Sequence, residues 1–256
     1  MIRNLVRQSG GNHLKKAVII MCGILAISFV AIIAYSGSQL KGIKAVYAEE
    51  AEIHQRVLEF QPDGRPNQID APDTKAAANQ SVISLREEYP NSVGWLIIEN
   101  TDVNYPFVQY TDNEYYLYRD INGKPAQAGT IFVDYRCEKN FASQNTIIYG
   151  HHMKNKSVFG SLSSFADQSF FNENRRGMVY LPYETLTLEF FAYMIVSPED
   201  KEIYNISFND NYFDYVKQNA LNYRAVEPVN AGRIVTLSTC AYEFDNARMV
   251  LLARVV

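Results

Sequence analysis

From residue 95 onward the apolar residues gather into short runs separated by Gly, Asn, Asp and Pro. Eight runs follow one another: GWLIIE, VNYPFVQ, GTIFVDYR, NTIIYG, GMVYLPY, TLTLEFFAYMIV, RIVTLSTC and RMVLLARVV. Their length, their β-branched and aromatic content and their turn-forming flanks predict strands. Eight such strands predict a mainly β fold, a closed or nearly closed antiparallel barrel that leaves no edge exposed. Upstream the period is helical. EEAEIHQRVLEF (49–60) puts Ile53, Val57 and Phe60 on one face, QPDGRPNQIDAPD (61–73) is a linker, and TKAAANQSVISLREEY (74–89) is a second helix stopped by Pro90. A further helix is expected over 209–223, between the sixth and seventh strands, where Phe213, Val216, Ala220 and Tyr223 recur at helical spacing.

The first 35 residues follow a different pattern. Ala17 to Tyr35 is an uncharged stretch of 19 residues, enough to cross a bilayer as a helix at about 1.5 Å per residue. Arg3, Arg7, Lys15 and Lys16 precede it without an acidic residue, which keeps residues 1–16 on the cytoplasmic side. The competing reading is a cleaved signal peptide, with VYA (46–48) as its small-residue cleavage site. Ala48 lies more than a dozen residues beyond the apolar stretch, so a retained anchor fits better. The expected organisation is a basic N-terminus (1–16), an anchor (17–35), a linker with helices (36–90) and a barrel domain (91–256) outside the membrane.

Charge and composition narrow the chemistry. The net charge of −4 lacks the basic surplus that nucleic-acid binding needs. Three cysteines, Cys22, Cys137 and Cys240, are too few for a disulfide framework. Cys137 is expected to be a packing thiol.

Cys240 closes the seventh strand and Arg248 opens the eighth, with residues 241–247 between them. A hairpin would bring the two together, whereas Arg254 lies roughly 20 Å further along the strand. A thiol acts as nucleophile only as thiolate, beside a base or a cation, and a guanidinium can hold a developing oxyanion. What is missing is an acid/base, and the chain has four histidines. His13 and His54 are expected at the surface, leaving His151 and His152 in YGHHM, just past a strand end. Such a pair is more often a solvent-facing polar patch or a structural hydrogen bond than catalytic; it could also be half a zinc site, but no further ligands stand at zinc spacing. Ser238 and Thr239 either line the site or are ordinary strand residues. Glu243 and Asp245 either bind a cation or form a solvated turn, and the tyrosines of NEYYLYRD line a groove or pack on the barrel.

TLSTC followed by an arginine, with YGHHM upstream, resembles the signature of sortases, membrane-anchored cysteine transpeptidases of Gram-positive bacteria with an eight-stranded barrel. The resemblance covers about residues 43–256. The N-terminal helices and the helix-bearing insert resemble class B, although the interval from Cys240 to Arg248 is short for that class.

The resemblance implies Cys240 as nucleophile, His151 as acid/base and Arg248 as oxyanion or substrate ligand, while Ser238 and Thr239 stay as candidates for lining the substrate site. It implies no cofactor and no metal. The partners it implies are a C-terminal sorting-motif peptide of a secreted surface protein and, as acceptor, an amine of a cell-wall precursor or a pilin, acted on by a monomer. A hydrolytic cysteine peptidase and a membrane-tethered assembly module without turnover are the competing readings.

Overall fold

The computed structural model describes residues 2–63, 79–225, 232–240 and 246–256, with side chains from Met21 onward except at Cys240. The chain divides into two compact units, residues 1–48 and 49–256.

Helix α1 (Ile2–Val57) carries no proline, and a 3-10 turn at Leu58–Phe60 ends it ahead of Pro62. Within the first unit its described side chains are almost all exposed, and the helix is long and apolar enough to cross a membrane.

The second unit holds nine strands: β1 (Ser92–Ile98), β2 (Asn104–Val108), β3 (Phe132–Val133), β4 (Asn145–Tyr149), β5 (Arg176–Tyr180), β6 (Thr185–Val196), β7 (Asn222–Tyr223), β8 (Ile234–Cys240) and β9 (Arg248–Val255). The order β5-β1-β2-β3-β4-β8-β9-β6, closed by β5 against β6, makes an eight-stranded barrel, and β7 adds a short ninth strand beside β6. Each of the eight predicted runs supplies one barrel strand.

The barrel is mixed rather than antiparallel. β2 pairs with β3, and β4 with β8, in parallel. Parallel neighbours need a long crossover, and both pairs have one. Residues 109–131 join β2 to β3, and the stretch from β4 to β8 contains helices α3 (Gln168–Glu173) and α4 (Tyr212–Asn219) with β5, β6 and β7.

Two sets of apolar residues leave the strands on opposite faces. Leu96, Phe107, Val133, Ile148, Val179, Leu188, Val235, Leu237 and Leu251 fill the interior. Outside, Trp95, Val108, Phe132 and Met178 are covered by Val57 of α1 and by Val82 and Leu85 of helix α2 (Gln80–Glu88). Ala192, Met194, Ile234, Val250 and Leu252 are covered by Tyr212 and Val216 of α4. Burial of both faces explains why the strand runs are so continuously apolar.

Three expectations are corrected. α2 begins at Gln80 (74–78 lie outside the described residues), with Asn79 tied to the β5–β6 turn through bonds to Leu181 O and Pro182 O. α4 ends at Asn219, because Tyr223 is drawn into β7, and its buried pair is Tyr212 and Val216. His54 is half-buried, its ring 4.2 Å from that of Tyr105, because α1 continues onto the barrel and turns this face inward.

Candidate active site

Parallel pairing brings the C-terminal ends of β4 and β8 to the same end of the barrel, with Tyr149 in register with Ser238. His151 follows β4 by two residues. Cys240 is the last residue of β8 and lies in register opposite Arg248, the first residue of β9. Around these strand ends is an open cleft of about 670 Å³, lined among others by His151, Ser238, Thr239 and Arg248. The four described residues that the sequence pattern singled out are therefore gathered at one place, and the backbone of Cys240 sits at its edge. Glu243 and Asp245 lie outside the described residues. Among those described, no three His, Cys, Asp or Glu side chains form a group able to hold a metal.

The loop after β4 fixes His151 locally. A Cβ on Gly150 would strike the Phe159 ring, and one on Gly160 would strike the Met153 backbone, so glycine permits both approaches. Phe159 N–H donates to His151 O at 3.0 Å, and His152 forms a backbone bridge with Val158. The His151 imidazole places Nε2 2.6 Å from Leu117 O and its ring beside Tyr118. A carbonyl can only accept, so in this geometry Nε2 carries the proton.

Arg248 donates through Nη1 to Asn246 O at 2.9 Å and to Ala247 O at 3.1 Å. Asn246 has φ +61°, a left-handed conformation that asparagine tolerates, and the turn thereby presents its carbonyls to the guanidinium. Thr239 is buried with its Oγ1 unpartnered, and Ser238 Oγ shares a 2.9 Å hydrogen bond with Tyr204 OH.

Tyr204 belongs to the segment between β6 and α4, which forms one wall of the cleft and which sequence reasoning missed. The wall is held through consecutive carbonyls. Asn145 Nδ2 donates to Ile203 O (3.0 Å) and Asn205 O (2.8 Å), Arg136 Nη2 donates to Tyr204 O (3.0 Å), and Asn145 N–H donates to Ile206 O (3.0 Å). Asn145 is fully buried, and its Oδ1 accepts from Thr236 Oγ1 at 2.8 Å.

Arg136 is itself held by the buried Asp134, with Nε to Oδ1 at 2.9 Å and Nη2 to Oδ2 at 2.8 Å, a bidentate pair. Tyr149 OH and Asn113 Nδ2 also donate to Oδ2. Burial alone would raise the Asp134 carboxyl. The hydrogen bonds and charge of Arg136 outweigh it and hold the group below the usual carboxylate range. The Tyr149 phenol is pushed up, first by burial and then by the Asp134 charge. The Asp-x-Arg spacing of VDYR was the one sequence signal for this network.

Cys137 is buried away from this chemistry. Its Sγ is 3.5 Å from Asn145 O and from Ile147 N, and burial pushes the thiol up to about 11. It is a packing residue, as expected. Of the NEYYLYRD tyrosines, Tyr116 packs in the outer core with Tyr115 against it, the packing role expected, while Tyr118 is 60% exposed with its ring beside that of His151.

The Sortase domain family matches residues 96–256. Sortase B of Listeria monocytogenes is 35% identical over 185 residues, which cover 67% of this chain and 72% of that protein. Among solved structures, sortase B from Bacillus anthracis aligns with TM-score 0.67 and 29% identity, covering 83% of this chain and 98% of that one. A Streptococcus pyogenes class B sortase involved in pilus biogenesis aligns with TM-score 0.64 and 27% identity, covering 68% and 97%.

Proposed function

Because the chain belongs to the sortase family of cysteine transpeptidases, we propose that its cleft cleaves a C-terminal sorting motif of secreted proteins and passes the acyl group to an amine of the cell wall or of a pilin. One observation carries the assignment of residues. His151, Ser238, Thr239 and Arg248 line a single cleft, and Cys240 stands in register opposite Arg248.

The chemistry runs in two halves. The Cys240 thiolate adds to a backbone carbonyl of the motif, forming a C–S bond. The C–N bond then breaks as His151 delivers a proton to the departing amine, leaving a thioester. The acceptor amine adds to that thioester, His151 takes its proton, and the C–S bond breaks to return the thiolate. Proton and charge balance over the cycle. Arg248 turns from its loop carbonyls toward the oxyanion or the substrate carbonyl, and Ser238 and Thr239 line the bound motif.

The apolar span 17–35 anchors the protein, residues 1–16 stay cytoplasmic, and residues 36–90 connect the anchor to a catalytic barrel (91–256) on the outer surface. The uncharged helix and the four cations before it support this orientation.

The test is a set of substitutions read by peptide cleavage with an amine acceptor present. Cys240→Ala abolishes cleavage and thioester formation, and His151→Ala comes close to it. His152→Ala keeps substantial activity. Arg248→Ala falls by about 10²–10³, the usual cost of one oxyanion donor, and Arg248→Lys falls well below wild type because it lacks the planar fork. An inactive His152→Ala beside an active His151→Ala means that the wrong histidine has been assigned. Product that is hydrolysed rather than ligated points to a peptidase.

A further inference from the structure

The loop that carries His151 contains a conformation that branched residues avoid. Val158 has φ +53° and Lys156 has φ +73°. A β-branched residue at positive φ is strained and persists only where its surroundings over-determine it. Two contacts hold Val158. Its side chain is buried in the barrel core. Its N–H donates to Tyr105 Oη at 3.2 Å, and that hydroxyl in turn donates to Glu50 Oε1 at 2.9 Å.

Glu50 lies on α1, within the same compact unit as the barrel. One helical turn later, His54 lays its ring against Tyr105, and its buried Nδ1 has no hydrogen-bond partner. Burial holds the His54 imidazole below its ordinary value against the opposing pull of Glu50. A neutral ring is the form that packs there. Helix, tyrosine and loop thus form a relay: Glu50 and His54 orient Tyr105, Tyr105 fixes Val158, and the Val158–His152 bridge with the Phe159–His151 bond fixes the backbone of His151.

We propose that Tyr105, oriented by Glu50 of the N-terminal helix, is a positioning residue for the transpeptidation reaction, setting the placement of His151 through the strained backbone of Val158. Tyr105 is not among the residues that line the cleft. It fixes an off-minimum loop in the one geometry from which His151 reaches the leaving amine. Without its hydroxyl, Val158 relaxes and the imidazole is misplaced, while the wall that binds the peptide, built on Tyr204, Asn145 and Arg136, is untouched. The proposal rests on His151 being the acid/base.

The experiment uses the full chain in detergent with a fluorogenic peptide, selected from a randomised library as the best substrate of the wild-type chain. Misplacement by about 1 Å can cost on the order of 10²-fold, so Tyr105→Phe should lower kcat about 10- to 100-fold with KM within about twofold. Glu50→Gln keeps an acceptor for the tyrosine hydroxyl and should stay within about threefold of wild type. Glu50→Ala removes it and should fall between the two. In Tyr105→Phe the NMR signals of the Val158 amide and the His151 imidazole should shift together. A Tyr105→Phe chain that melts earlier but keeps wild-type kcat would reduce Tyr105 to packing and overturn the inference, as would a loss confined to KM. Should Tyr105→Phe fail to fold, Glu50→Ala against Glu50→Gln carries the test, and equal kcat in the two overturns it. The His151→Ala control separates the cases. If it remains active the acid/base assignment has failed; if it is inactive while Tyr105→Phe is normal, only this link has failed.

Discussion

Replacing Asn145 with alanine removes the side chain that ties the wall of the cleft to the barrel. Three hydrogen bonds disappear, to Ile203 O, Asn205 O and Thr236 Oγ1, all from a fully buried amide. At about 0.5–1.5 kcal/mol net each, and more where a buried group is left unpaired, the loss is about 3 kcal/mol. For a unit of this size each kcal/mol moves Tm by roughly 2–4 °C, so the melt should fall by about 6–12 °C in differential scanning calorimetry. Asn145→Asp gives a sharper test. It keeps the acceptor for Thr236 but aims a carboxylate oxygen at two carbonyls, so it should be no more stable than alanine although it is nearly isosteric. The Asn145 backbone bond to Ile206 O survives in both. A Tm change under about 3 °C, or an aspartate variant as stable as wild type, would show that the wall is held by its apolar contacts instead.

Three further outcomes follow from the same network and its surroundings. Asp134 has its carboxyl depressed in the fold by Arg136 despite burial, so it contributes stability above the unfolded value of about 3.9 and loses it as pH falls through the lower folded value. The gap in urea midpoint between wild type and Asp134→Asn should therefore be flat near neutrality and close below about pH 4; a gap that widens on acidification contradicts the ion pair. Cys137, raised to about 11, holds only about 3 in 10⁴ of its thiol as thiolate at pH 7.5. Iodoacetamide should thus modify Cys240 and spare Cys137 until the chain unfolds, and equal rates in the folded chain would refute this. Peptide cleavage should persist in EDTA, since His151 and His152 gain no third ligand among the described residues; a loss restored by zinc or calcium would overturn that.

Much of this fold is legible in the chain because most strand positions are buried on both faces, which writes most strands as nearly continuous apolar runs. Strand direction is not legible in the same way. The run NTIIYG reads alike whether its neighbour is parallel or antiparallel, and only the long crossover to β8 decides it. In the site, the parts that announce themselves are chemical: a cysteine at a strand end, a histidine after YG, an arginine opening a strand. The supporting parts are ordinary residues whose meaning lies in distant partners. Asn145 reads only as the polar first residue of the NTIIYG run, yet it bonds carbonyls about 60 positions away. Tyr105 reads as a strand aromatic, and its hydroxyl joins Glu50 to Val158 across the unit. His54 reads as a surface histidine because nothing local reveals that its helix lies against the barrel.

The parallel register of β4 with β8 also sets a schedule. It joins residues 145–149 to 234–238, with two helices and three strands of intervening chain. Closing so large a loop is entropically costly, and folds dominated by such non-local pairings form in milliseconds to seconds rather than microseconds. A chain still emerging from synthesis holds its histidine loop long before residues 234–255 are available to pair. During that interval the cleft lacks β8 and β9, the strands that carry Ser238, Thr239 and Arg248, so a half-made chain has only one side of it. Refolding followed by recovered peptide cleavage would consequently time the final closure of the barrel, whereas tryptophan fluorescence from Trp95 would time the earlier collapse.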